Sequence, residues 1–402
     1  MIFIRAAITL ALATGILARG LHQSRSISSL QKQGFIDAQL QELISTYNIP
    51  ALGVTVDDGS VVVHAHSGVR KFGTNESVSA DAVWHLGSNT KSMTATIIAL
   101  LVQEGLLTWD TTMKDIFVDI FPKIHDNVQN VTLKELAAHR SGISGTFGFD
   151  PGTPAYMQLS IYAMDEVPAR AVAVSNILGD SPLGWQANGT RGAYEYSNNN
   201  YIILGHVIDV ITGKPAEEVI KTKIWEPLGL SSASWEPLSP NSPWPHMPNL
   251  TTLEPYPYPE GWPVELRDLP PPLNPAGLAH MTTADYNKWL RVHVDPAAQK
   301  LIGLDSEQLA ILHTAPPILN PTERTYTYGG WVRYVGEACS NSTTDGYCLF
   351  HTGSNLMNIA QGWVDTTRNL TVSVMANCPP VSGGADATMA ALGLLKSENL
   401  VL

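Results

Sequence analysis

Strand-like sequence gathers at the two ends of this chain, and that alone narrows its architecture. The run "ALGVTVDDGSVVVHAHSGVR", residues 51–70, sets two β-rich stretches on either side of Asp58 and Gly59, the dipeptide of a tight hairpin. The other β-rich runs, "YTYGGWVRYV", "YCLFHTGS", "MNIAQGWVD" and "LTVSVMAN", come only near the C-terminus, where "DTTRN" reads as the turn of the last hairpin. Between them apolar residues recur at helical spacing in "TATIIALLVQEGLL", "TLKELAAHRSG", "NNNYIILGHVIDVITG", "EEVIKTKIWEPLGL" and "TTADYNKWLRVHV". A polar helix-like segment at 33–47 precedes the first hairpin, and the alanine-rich "GADATMAALGLL" closes the chain. Strands at both ends with helices between predict one α/β domain of the α+β kind. The N-terminal hairpin is expected to join the C-terminal strands in one antiparallel sheet, flanked by helices and accompanied by an all-helical part.

With 402 residues, 44% hydrophobic and 15% charged, the chain is long and apolar enough to bury such a core. Net charge is −12, and the 24 lysines and arginines never gather into a run, so no phosphate-binding face is predicted and nucleic acid is not an expected partner. Residues 1–18 carry Arg5 and then an apolar stretch to Ala18, the pattern of a signal peptide; an uncleaved anchor is the alternative, although the stretch is short for a bilayer. Sequons at Asn75, Asn130, Asn188, Asn249, Asn341 and Asn369 fit a secreted glycoprotein without stable membrane association after cleavage. Three cysteines are too few for a disulfide scaffold or a zinc site. In an oxidising compartment one bridge is expected, either Cys339 to Cys348 or Cys348 to Cys378, with the remaining thiol buried and inert.

Two features read as structural before they read as chemical. His64 and His66 share one face of a strand, but no third ligand stands at a recognisable spacing, so no metal is expected. Residues 236–275 are dense in proline, with Trp244, Tyr256, Tyr258 and Trp262 interleaved; this irregular insertion is either a surface loop packed by its own aromatics or a wall over a pocket.

The chemistry begins in "HLGSNTKSMTATIIALLVQEGLL", residues 85–107, where Ser88 and Lys91 open an apolar helix. Residues i and i+3 share a helix face, which brings the hydroxyl within reach of the lysine. The helix N-terminus adds positive partial charge that favours the alkoxide of an otherwise weak nucleophile. The S-x-x-K pattern recurs as Ser29 and Lys32 in "SLQK", where polar surroundings and the lack of a preceding strand read as a solvated linker, so the pattern by itself carries little. Two further pieces separate Ser88 from that copy. "YEYSNNNYIILG" holds Tyr196-Ser197-Asn198, the only Y-x-N of the chain, leading into a helix, and "LFHTGSN" holds His351-Thr352-Gly353 at the end of a β-run.

In this order and spacing, with "LAAHRSGI" at 136–143 between the first two, the chain resembles the superfamily of serine β-lactamases and penicillin-binding proteins. It is most similar to the class C-like branch of esterases, D-aminopeptidases and acyltransferases. The resemblance covers roughly residues 35–395 and includes "EPLGL" at 226–230, "PAGLAHMTTADYNKWL" at 275–290 and "YGGW" at 328–331. It implies a β-lactamase/transpeptidase-like fold, with Ser88 as the acylated nucleophile and Lys91 as the cation that lowers its neighbours' pKa. Tyr196 is implied as the group that takes the Ser88 proton and returns one to the leaving group. Asn198 would hold the acyl side of the substrate or orient Lys91, His351, Thr352 and Gly353 would line the substrate site, and the N–H groups of Ser88 and Ser354 would form the oxyanion hole. Tyr194 is implied to be structural, and His139 a helix-end landmark outside the chemistry. The chain has no G-x-S-x-G elbow, which speaks against an α/β-hydrolase.

One departure bears on substrate. Penicillin-recognising relatives carry lysine where this chain has His351, a side chain mostly neutral at pH 7. Any binding of a substrate carboxylate is therefore expected to strengthen below about pH 6.5, as His351 gains a proton. The function expected from all this is hydrolysis of a small ester, amide or peptide through a Ser88 acyl-enzyme, without cofactor. The alternatives are acyl transfer to a small natural product, β-lactamase or D-peptidase action, and a non-catalytic binding protein of the same fold.

Overall fold

In the computed structural model the described residues are 29–145, 164–179, 190–236, 242–261, 268–318, 325–336, 339 and 346–396. The apolar leader, the sequons Asn188 and Asn341, and parts of the proline-rich insertion lie outside them. In chain order the strands are β1 (Ala51–Asp57), β2 (Val62–Gly68), β3 (Trp84–His85), β4 (His246–Pro248), β5 (Pro255–Pro257), β6 (His280–Met281), β7 (Val332–Val335), β8 (Tyr347–Ser354), β9 (Ile359–Asp365) and β10 (Leu370–Ala376).

The N-terminal hairpin does join the C-terminal strands, in a six-stranded sheet of order β2-β1-β10-β9-β8-β7, antiparallel at every pairing. The Asp58-Gly59 turn closes as expected: Asp58 Oδ1 accepts from the N–H groups of Ser60 and Val61, and Gly59 takes a φ of +85°. The second hairpin turn is held by Asp365, whose Oδ1 accepts from the N–H groups of Thr367 and Arg368.

Strand alternation sorts the sheet into two unlike faces. Leu52, Val54, Val56, Val372 and Val374 point to one side, where the helices Ser29–Tyr47 and Gly384–Lys396 cover them with Ile36, Leu40, Ile44, Ala391 and Leu395. The first helix starts at Ser29, so the "SLQK" backbone is helical and not a linker; the apolar series Ile36, Leu40, Ile44 docks it on the sheet. The opposite face carries Thr55, Thr371 and Ser373 against the helix Thr283–Arg291, and each hydroxyl has a partner: Thr283 Oγ1, Asn287 Oδ1 and the Thr283 carbonyl. Such buried hydroxyls are tolerable only when bonded.

Beyond that helix lies the all-helical part. Its centre is the helix Lys91–Gln103, which is buried all round from Lys91 to Leu101, its apolar Met93, Ala95, Ile97, Ile98 and Leu101 packed and its Ser92, Thr94 and Thr96 hydroxyls bonded to backbone carbonyls. Each large aliphatic side chain there contributes roughly 1.5–3 kcal/mol. The helices Glu166–Leu178 and Asn198–Thr212 are tied by Arg170, which is fully buried and donates to both oxygens of Asp209 and both of Glu217 at 2.7–2.8 Å.

Of the proline-rich insertion, the described portion is anchored beside the sheet. His246 is buried, its Nε2 accepts from the Phe72 N–H and its Nδ1 donates to the Asn377 carbonyl, while the Trp244 indole donates to the Tyr258 carbonyl. Cys339 bonds Cys348, and Cys378 stays a buried thiol pushed up to about 12 by burial. Asn75, Asn130, Asn249 and Asn369 are exposed. Among the described residues no helix is long and apolar enough to cross a membrane.

Candidate active site

Ser88 sits in a 3-10 turn, Gly87–Thr90, that leads straight into the Lys91–Gln103 helix. Its neighbours explain the local sequence. Thr90 Oγ1 donates to the Gly87 carbonyl at 2.8 Å, and Asn89 Nδ2 donates to the carbonyls of Leu86 and Ala360 at 2.8 and 3.1 Å. Tyr286 donates its hydroxyl to Asn89 Oδ1 at 2.7 Å; it reaches there because β9 has Gly362, where a Cβ would lie 2.1 Å from that hydroxyl. The polar residues flanking the serine are therefore buried fixings that turn Ser88 outward, and Ser88 alone of the four is half-exposed.

Two glycines bring this turn against the sheet. A Cβ on Gly87, whose φ is +54°, would stand 2.1 Å from the Ser354 nitrogen, and one on Gly353 would stand 2.6 Å from the Ser88 nitrogen. The N–H groups of Ser88 and Ser354 are thus close neighbours. Strand β7 pairs with β8 only as far as Phe350, so the backbone from His351 to Ser354 runs beyond its partner along the Ser88 turn.

Lys91 is fully buried, and its Nζ lies 2.9 Å from Ser88 Oγ, 2.8 Å from Asn198 Oδ1 and 2.6 Å from the Ala276 carbonyl oxygen. Among the described residues no carboxylate pairs with it, and burial pushes its pKa well below the ordinary 10.5. Tyr196 is exposed, with its ring 5.0 Å from Lys91 Nζ and 4.3 Å from the His139 ring. Ser197, the extended residue that precedes the helix, and Asn199 are buried, and Ser197 Oγ and Asn199 Nδ2 both donate inward to the Ser144 carbonyl, while Asn198 stays partly exposed with its Oδ1 on Lys91.

His139 is fully buried with a φ of +57°, and its Nδ1 accepts from the Ser197 N–H at 3.2 Å. Burial, with Lys91 and His351 nearby, holds its pKa well below 6.5, so it is neutral. It follows the helix Leu133–Ala137 as a helix-end residue and steadies the tyrosine loop. Tyr194 packs at 6.2 Å from His139 and 5.9 Å from Tyr326, within the same aromatic group.

The structure gives both ring nitrogens of His351 partners inside the protein. Its side chain is buried, its Nδ1 lies 2.8 Å from the Thr352 carbonyl and its Nε2 lies 3.0 Å from the Tyr326 hydroxyl. A carbonyl only accepts, so Nδ1 carries the proton and Nε2 accepts from Tyr326. Both nitrogens are occupied inside the protein, and the ring has no donor left for a substrate carboxylate. Thr352 is the exposed side chain of this motif, while Gly353 is buried and the Ser354 hydroxyl donates back to the Asn358 carbonyl. Tyr326 was not singled out from sequence, because "YTYGGW" offers two tyrosines and only the isolated bridge of Tyr326 to Val332 decides which one turns inward. The Ala276 carbonyl, a backbone atom, has no side-chain signature at all.

The strand-edge motif His351–Ser354 thus lies beside the Ser88–Lys91 pair at a helix start, with Asn198 from the first turn of a second helix and Tyr196 from the segment just before it. The family model described as Beta-lactamase matches residues 36–395, and the chain belongs to that family, within the superfamily of serine β-lactamases and penicillin-binding proteins. By sequence it is similar to the unguisins hydrolase ungD of Aspergillus violaceofuscus, 25% identical over 78% of this chain and 57% of that one. It is also similar to penicillin-binding protein 4 of Amycolatopsis lactamdurans, 28% identical over 63% of this chain and 61% of that one. The chain thus spans less than two thirds of the length of these relatives. In fold it matches the D-amino acid amidase of Ochrobactrum anthropi, with a TM-score of 0.66 at 18% identity over 91% of this chain and 99% of that one.

Proposed function

We propose that the protein is a secreted serine hydrolase that cleaves a small amide or ester by acylating Ser88. The observation that carries this reading is the fully buried Lys91 Nζ, 2.9 Å from Ser88 Oγ with no counter-carboxylate among the described residues. A neutral amine has two N–H bonds and one lone pair. Asn198 Oδ1 and the Ala276 carbonyl accept the two N–H bonds, which leaves the lone pair aimed at the Ser88 hydroxyl. On attack, the Ser88 proton passes to Lys91, the carbonyl oxygen becomes an oxyanion held by the N–H groups of Ser88 and Ser354, and the Oγ–C bond forms. Tyr196, beside the ammonium so formed, protonates the departing amine or alcohol as the C–N or C–O bond breaks, and water completes the cycle by the reverse proton path.

Hydrolysis is supported by the similarity to a protein named unguisins hydrolase, and an amide is taken ahead of an ester because a protein of the same fold is named D-amino acid amidase. The occupied nitrogens of His351 support a substrate that is uncharged where penicillin-recognising relatives bind a carboxylate. Secretion is supported by the apolar leader at 1–18 and by the exposed sequons Asn75, Asn130 and Asn249.

The test is the intact mass of deglycosylated protein after treatment with a fluorophosphonate and with small activated acyl esters. Wild type and Ser29→Ala should gain one adduct and Ser88→Ala none. A folded wild type inert toward every reagent would make this a binding protein. Acyl products formed on an added acceptor alcohol in place of free acid would make it a transferase.

A further inference from the structure

Behind the oxyanion N–H groups lies a buried cluster that the catalytic motifs do not include. Strands β3 and β6 pair so that His85 stands opposite His280, with ring centroids 4.5 Å apart and edge to face. His85 Nδ1 accepts from the Gly87 N–H at 2.8 Å, so its proton resides on Nε2, which lies 2.8 Å from Asp268 Oδ1. His280 Nε2 lies 3.2 Å from Asp268 Oδ2. The same Asp268 Oδ1 accepts from Asn355 Nδ2 at 3.2 Å, and Asn355 Oδ1 in turn accepts from the N–H groups of Met357 and Asn358.

We propose that Asp268 is a positioning residue for the oxyanion hole: through His85 and Gly87 it orients the Ser88 N–H, and through Asn355 it orients the Ser354 N–H. This rests on the hydrolase reading above. One carboxylate, delivered by the last turn of the proline-rich insertion, ties together the two backbone segments that supply the two donors. Its placement has a cost that a mere packing role would not require. Asp268, His85 and His280 are 6%, 4% and 3% exposed, and against the penalty of burial the two histidines hold Asp268 below the usual carboxylate range. The carboxylate also fixes the His85 tautomer. Were the proton on Nδ1, it would point at the Gly87 N–H, and the 3-10 turn carrying Ser88 would lose its anchor. His85, Asp268 and His280 stand close enough to share a metal ion, but His85 Nδ1 accepts from the Gly87 N–H, so the neutral ring keeps its proton on Nε2 and offers Asp268 a hydrogen bond instead of a metal-ligating lone pair.

The experiment compares steady-state hydrolysis and fluorophosphonate labelling for wild type, His85→Leu, His85→Asn and Asp268→Asn, with melting temperatures alongside. Leucine removes the acceptor, while the asparagine amide oxygen can replace Nδ1. His85→Leu should lower kcat about 100-fold with KM within about threefold, the signature of a weakened oxyanion donor. His85→Asn should recover at least tenfold of that loss. Asp268→Asn, free to present an N–H to Nε2 and so reverse the tautomer, should resemble His85→Leu. Wild-type kcat in His85→Leu, a change confined to KM, or equal losses in the leucine and asparagine variants would overturn the proposal. Should His85→Leu not fold, the comparison of His85→Asn with Asp268→Asn decides: equal rates overturn it. One equivalent of bound metal in the purified protein would also overturn it, in favour of a metal centre. If wild type itself takes no label, the hydrolase reading fails instead, whatever the variants do.

Discussion

Two fully buried cations stand in the all-helical part, and they are treated in opposite ways. Arg170 has two carboxylates, Asp209 and Glu217, on its guanidinium, and Glu217 also accepts from Asn274; their charges hold its pKa above the ordinary range in spite of burial. Lys91 has one hydroxyl, one amide oxygen and one carbonyl, and burial drives its pKa down. The first arrangement is permanent charge used to join helices. In the mechanism we propose, the second is a base kept poorly solvated so that it can exchange a proton with Ser88. Desolvation shifts a pKa only as far as neighbouring charge allows, so the presence or absence of carboxylates decides which role a buried cation can take.

The sharpest test of that contrast is to remove each cation in turn. Lys91→Met should lower kcat/KM by about 10³-fold or more while the protein melts no lower than wild type at pH 7, because an amine held short of its full charge contributes little to the fold. Arg170→Met should do the reverse, costing about 3–5 kcal/mol of stability by leaving Asp209 and Glu217 without their partner, with the remaining folded protein still acylating at Ser88. Urea unfolding and acyl-enzyme formation measured on both variants would show it. If Lys91→Met unfolded as readily as Arg170→Met, the two cations would be doing the same job.

Next in size is Tyr196→Phe, expected to lower kcat about 100-fold with the structure intact, read from steady-state rates on an amide substrate. The loss should be greater for a poor leaving group than for an activated ester, since the tyrosine is assigned to protonating what departs.

The pH dependence follows from the sign of the Lys91 shift. The folded pKa lies below the unfolded 10.5, so the unfolded state binds the extra proton between the two values and stability rises with pH through that window. Activity should rise in the same direction, as Lys91 loses its proton and becomes a base. Lys91→Met should abolish both slopes, which urea melts at pH 7 and pH 9.5 would reveal. The smallest expected effect concerns His351: affinity for a carboxylate-bearing substrate analogue should change by less than about twofold between pH 5 and 8, because neither ring nitrogen is available to it. A clear strengthening below pH 6.5 would restore His351 to the substrate site and displace Tyr326 as its partner.

Much of this was legible in the chain itself. Alternating apolar residues around Asp58 and Gly59 and in "LTVSVMAN" set the sheet, because a period of two sends every second side chain to the same face. The S-x-x-K spacing set the Ser88–Lys91 pair, because a helix turn fixes which residues are neighbours, whereas the Y-x-N and H-T-G pieces pointed to the same place only through the family resemblance. The role of His351 was not legible, since a histidine in sequence says nothing of where its two nitrogens point. Neither was the choice between Cys348 partners, settled only when Cys339 came to lie beside it.

What the sequence determined, then, was whatever depends on local period and short spacing: the hairpins, the helices and the Ser88–Lys91 pair. The tertiary structure alone decided the burial of Lys91 with no carboxylate beside it among the described residues, the Tyr326 contact that occupies His351, and the convergence of His85, His280 and Asn355 on Asp268. Those are contacts between residues far apart in sequence, such as His85 and Asp268, 183 positions apart, and solvent exclusion at such a meeting point is a property of the packed chain and of no segment within it.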